Sequence, residues 1–170
     1  MYRKVIFLAI LLSAIRLNGL AQTGIDANRI NNFKAFCSYL KKTDSLKLDT
    51  GTILKNYVAL SPANPNLELS KAKQRIDFFL RLCKGLKKGT ADLELDKYDA
   101  MPTSQYQFKD PQDLKQFEGL IDDKNQVYVY FLKEKPEAPL GFLLFAANSN
   151  KVISWILLNE SGTLYFFTFN

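Results

Sequence analysis

Apolar positions recur at helical spacing through the first half of the chain and at strand spacing through its last third. Ile30, Phe33, Cys37 and Leu40 fall on one stripe behind Asp26, a good N-cap residue, so the spacing predicts a helix over 27–42. Residues 51–60 repeat the pattern more weakly, with Leu54, Tyr57 and Val58 on one face, and Pro62 and Pro65 then bound a loop. A longer helix is predicted over 67–87, with Ala72, Ile76, Phe79, Leu80 and Cys83 along one side. Gly85 and Gly89 mark its fraying end.

Ala91 to Tyr98 then alternates Leu93 and Leu95 with Asp92, Glu94 and Asp96, which predicts a strand with one wet face. Asp110-Pro111 opens a short helix: Asp110 caps, Pro111 fits the first turn, and Asp113 suits the positive end of the dipole. Leu114, Phe117 and Ile121 form its apolar side, and it stops near Gly119, before a turn at 122–125. Four strands follow, Gln126–Leu132, Leu140–Ala146, Val152–Leu158 and Thr163–Phe169. The breaks between them, Lys135-Pro136-Glu137, Asn148-Ser149-Asn150 and Glu160-Ser161-Gly162, suit hairpin connections and an antiparallel meander.

These strands are apolar on both faces. Val127, Val129 and Phe131 alternate with Tyr128, Tyr130 and Leu132, and Tyr165, Phe167 and Phe169 with Leu164 and Phe166. An antiparallel sheet with one solvated face alternates more cleanly. Something therefore covers both sides: helices on one, and on the other a curled sheet, a partner or a ligand cavity. The expectation is an α+β fold, N-terminal helices packed on a curved C-terminal antiparallel sheet of four or five strands. The element order is similar in outline to the NTF2-like cone folds, a resemblance that implies a pocket between sheet and helices.

The opening segment changes the picture. Arg3 and Lys4 precede an apolar run from Val5 to Ile15, with Gly19 and Ala21 ahead of polar Gln22, the pattern of a secretory signal peptide cleaved after residue 21. Arg16 and Asn18 interrupt the run well short of the about 20 apolar residues that cross a bilayer, so no transmembrane segment is expected after cleavage. The rest of the 170-residue chain, 22–170, suits one exported domain, periplasmic or extracellular. Arg3, Lys4 and Arg16 leave with the signal and no acid does, which takes the net charge from +6 to +3. That modest balance does not mark a nucleic-acid binder. In an oxidising compartment Cys37 and Cys83 are expected to pair, closing a long loop worth about 4 kcal/mol in the chain-entropy account. The alternative is two reduced, buried sulfurs acting as small apolar groups.

With no histidine in the chain, Ser-His-Asp and Cys-His catalysis and histidine-based zinc sites are excluded. Two separated cysteines make no metal site, and Gly85 to Gly89 lacks phosphate-loop spacing. No cofactor and no metal are implied. Ser38-Tyr39-Leu40-Lys41 matches S-x-x-K, but its companion motifs are missing, and a solvated helix face explains it better. Asp92, Glu94 and Asp96 on one strand face, or Asp122-Asp123 in a turn, offer carboxylates for hydrolysis or calcium. A charged edge strand is the simpler account.

Two surfaces remain as candidates for binding. Lys71, Arg75, Arg81 and Lys84 on the long helix form a contact surface for an anionic envelope component, unless they are only a wet helix face. Tyr128, Tyr130, Phe142, Trp155, Tyr165 and Phe167 line a pocket or an interface, unless they are only core. The leading expectation is an exported binding or interaction module without catalysis. Its rivals are a small envelope hydrolase with carboxylates in a sheet pocket, and a structural subunit that self-associates through the sheet.

Overall fold

The computed structural model describes residues 26–60, 69–109, 126–161 and 163–168. The signal segment expected over 1–21, the Pro62/Pro65 loop and the helix and turn expected over 110–125 lie outside these residues. Helix α1 runs through residues 26–42, α2 spans Thr50–Asn56 and α3 spans Leu69–Gly89. A single 3-10 turn, Leu95–Lys97, leads into strand β1, Tyr98–Pro102. The remaining strands are β2 (Val127–Leu132), β3 (Lys135–Phe145), β4 (Val152–Ser154), β5 (Leu157–Glu160) and β6 (Thr163–Phe166). Strands β1-β2-β3-β4 form an antiparallel meander, and β5 and β6 form a separate antiparallel pair. The α+β arrangement stands, with the strands divided between two sheets.

The helical stripes read from the sequence supply part of the core, to which α1 adds the fully buried Phe36, a position the stripe did not include. Ile30, Phe36 and Leu40 of α1 and Phe79 and Cys83 of α3 pack on Tyr128, Leu143, Phe145 and Val152 of the sheet. Helix α1 is clamped at both ends. Near its start Arg29, 4% exposed, donates to the carbonyls of Ser149 (3.0 Å) and Ala146 (3.1 Å) and to the Tyr128 hydroxyl (3.2 Å). At its end Lys41 Nζ donates to the Leu93 carbonyl at 3.0 Å, so the S-x-x-K lysine ties α1 to the turn after α3. Asp26 is already helical, and its carboxylate accepts from the Tyr128 hydroxyl, so it acts as an anchor to the sheet instead of the N-cap expected. Helix α2 has a cap the pattern did not single out: Asp49 accepts from the N–H groups of Gly51 and Thr52.

Both faces of the central part of the sheet are covered, but the second face is closed by none of the expected means, a curled sheet, a partner or a cavity. Helices cover one. On the other, Val129 and Phe131 pack with Tyr106, Phe108, Met101 and Phe142, the chain's own segment after β1 supplying the cover. The Tyr106 ring lies 4.7 Å from that of Phe108 and 5.9 Å from that of Phe131, and its hydroxyl donates to the Pro136 carbonyl.

Three expected elements are corrected. Residues 91–98 do not form a strand: Leu93 N–H bonds back to the Thr90 carbonyl, Lys97 N–H to that of Glu94, and extended pairing begins only at Tyr98. Lys135-Pro136-Glu137 is not a turn but the start of β3, because Leu132 pairs with Lys135 across Lys133-Glu134. The ladder slips there, where Pro139 faces Phe131 and has no N–H to offer. The strand expected over Val152–Leu158 is broken at Ser154. Its buried hydroxyl accepts from Ile156 N–H (3.1 Å) and donates to the Phe167 carbonyl (2.7 Å), which turns the chain from one sheet to the other.

Candidate functional site

Between α1, α3 and the sheet lies a cleft of about 430 Å3. Helix α1 contributes Ile30, Phe33, Lys34 and Cys37, and α3 contributes Arg81, Leu82, Gly85, Leu86 and Gly89. Leu93 and Leu95 reach it from the irregular segment after α3, so their alternation with acids reports side chains dipping into a cleft. Tyr98, Asp99 and Ala100 of β1, Tyr130 of β2 and Leu143 of β3 form the sheet wall. Thr90, Trp155 and Ile156 complete the lining. The volume lies in the lower part of the range of about 300–1,000 Å3 found for small-molecule sites, and the apolar lining with few polar groups is of the same kind.

Local structure explains each wall. The break at Ser154 turns the chain so that Trp155 faces the cleft instead of continuing a strand, and the Trp155 ring packs 5.6 Å from that of Phe36. Tyr130 lies flat across β3 because its cross-strand partner is Gly141: a Cβ there would stand 2.5 Å from the Tyr130 ring. Burial, followed by the neighbouring Cys37 and Tyr98, raises the Tyr130 pKa. On α3, the exposed Gly85 and Gly89 border the cleft, and a Cβ at either would meet nothing within 4 Å. Gly85 lies inside the helix and does not mark its end, since α3 continues to Gly89. A glycine there destabilises the helix by about 0.5–1 kcal/mol relative to alanine.

The charged groups of the lining are Lys34, Arg81 and Asp99. Arg81 sits on the exposed side of α3 with its guanidinium carbon 5.8 Å from the centre of the Phe78 ring. Asp99 Oδ1 accepts from the Ala100 N–H at 2.9 Å.

The structure gathers part of the residues singled out from the sequence. Tyr130, Trp155 and Arg81 meet at the cleft. Tyr128 is buried beneath the start of α1, where desolvation and its bond to Asp26 push its pKa up to about 12. Phe142 packs on the opposite face of the sheet. Phe167 packs against Phe78 at 5.7 Å, and Tyr165 is exposed on β6 with its hydroxyl donating to Glu160. Lys71 and Lys84 are exposed on α3, and Arg75 is half-buried.

Cys37 and Cys83, expected as a disulfide, stand here as two free thiols, both fully buried. Desolvation pushes each up to about 12, so the protonated, apolar form is the one the core favours. Asp92, Glu94 and Asp96 are exposed on an irregular segment, with Glu94 paired to Lys97 at 3.1 Å, and they do not share a strand face. Sequence reasoning missed Lys34, Gly85 and Asp99. The two helical glycines four residues apart were the available signal.

Compared with known proteins, the chain matches no family model, no curated protein and no solved structure.

Proposed function

We propose that the protein is an exported, non-catalytic binding module whose cleft takes a small apolar molecule. The observation that carries this reading is the cleft itself, about 430 Å3 between α1, α3 and the sheet with Phe33, Leu82, Leu86, Leu143 and Trp155 in its lining. Gly85 is consistent with it: this helix-destabilising residue borders the cleft on the exposed side of α3, where only a side chain reaching well beyond Cβ would cross the opening. Export rests on the amino-terminal pattern of residues 1–21, a basic start followed by a short apolar run and small residues before Gln22.

Trp155 is the sole tryptophan of the chain, so its emission reports occupancy of the cleft. Titration with dodecanol is expected to shift that emission saturably in the wild type. In Gly85→Leu the new side chain crowds the opening, and affinity falls at least about tenfold, the equivalent of about 1.4 kcal/mol. The variant remains folded, since leucine is the better helix former. An unsaturable response, or equal affinity in both proteins, would remove the cleft from the account.

A further inference from the structure

We propose that the ligand is a single-chain anionic amphiphile, its apolar chain in the cleft and its acidic head at Lys34 and Arg81. This rests on the cleft reading above and adds the chemistry of the head. The two cations come from the facing helices α1 and α3 and line the same cavity, while most of the remaining lining is apolar. Neither cation has a carboxylate partner among the described residues. The acid of the lining, Asp99, belongs to β1 and has an oxygen engaged by the Ala100 N–H. Exposed Lys84 and Lys88 extend the positive charge along α3 beside Arg81.

A ligand without charge would leave two cations bordering an apolar cavity with no role in holding it. A carboxylate or sulfate gains charge-assisted hydrogen bonds from both. The volume admits one alkyl chain and is small for a two-chain lipid, so the occupant is a free amphiphile and not a membrane surface.

The test compares dodecanoate, dodecanol and dodecyltrimethylammonium through Trp155 emission, below their micelle concentrations, in the wild type and in the double variant Lys34→Gln/Arg81→Gln. Dodecanoate is expected to bind at least about tenfold more tightly than dodecanol, the ammonium most weakly, and added salt to narrow the gap. In the double variant the preference for dodecanoate over dodecanol is lost. Equal wild-type affinity for acid and alcohol, or a gap unchanged in the double variant, would overturn the anionic assignment and leave the cleft reading intact. Failure of all three to bind the wild type would overturn both. An emission change with phosphatidylglycerol vesicles as large as that with dodecanoate would assign the cations to a lipid surface and overturn the single-chain assignment.

Discussion

Gly141 sets the position of a cleft wall through one missing carbon. With hydrogen in place of Cβ, the Tyr130 ring lies across β3; with a methyl group, its Cε1 and hydroxyl would sit 2.5 and 2.7 Å away. The ring must then rotate toward the cavity it lines. Gly141→Ala is expected to destabilise the fold by about 1–3 kcal/mol, the usual penalty of overpacking, and to weaken ligand binding as Tyr130 enters the cleft. Urea unfolding followed by Trp155 emission measures the first effect and dodecanol titration the second. Unchanged stability together with unchanged binding would mean that Tyr130 has a second seat against the sheet. Ser154 acts at the same scale: one hydroxyl, bonded to Ile156 and Phe167, turns an apolar run into two short strands. No periodicity in the sequence announces that turn, because Val152 and Ile153 before it and Ile156 to Leu158 after it are all strand formers.

At the scale of elements, α1 owes its place to polar groups as much as to its apolar stripe. The Tyr128 hydroxyl donates to Asp26 and accepts from Arg29, and burial with the Asp26 bond lifts its pKa from 10.0 to about 12. In the unfolded chain the phenol ionises near its ordinary value while the folded one keeps its proton. The stabilisation is therefore full below about pH 10 and is lost as pH rises toward 12. Cys37 and Cys83, lifted from 9.0 to about 12, add a loss of the same sign that begins about one unit lower. Tyr128→Phe is expected to lower stability at neutral pH by about 1–2 kcal/mol, by leaving Arg29 short of a partner, and to flatten the decline above pH 10. Chemical unfolding across the alkaline range checks this; an unchanged slope would place the titration elsewhere.

Elements also show how far the sequence was legible. The stripes of α1 and α3 could be read because Ile30, Leu40, Phe79 and Cys83 are core positions with the helical period. Residues 91–98 misled because Leu93 and Leu95 dip into the cleft from a turn at the spacing a strand would give. Tyr130, Trp155 and Arg81 were reachable as aromatic and basic candidates. Lys34 was not, since a lysine between Phe33 and Cys37 looks solvated until α3 is placed opposite.

At the scale of the molecule, the sheet has two covered faces of different kinds. The face toward Tyr106 is closed by the chain itself, while the face toward the helices keeps a cavity beside a dense core. This cleft, with Gly85 inside a helix at its border, is where the proposed ligand would sit. The proposed export would set where that ligand is met. The most direct test is the native mass of the protein purified from its own host's envelope fraction, beside Gly85→Leu prepared in the same way. The account predicts a chain beginning at Gln22 that carries a small apolar adduct in the wild type and lacks it in the variant. A bare wild-type chain, or one adduct shared equally by both proteins, would contradict the claim that this cleft is a binding site.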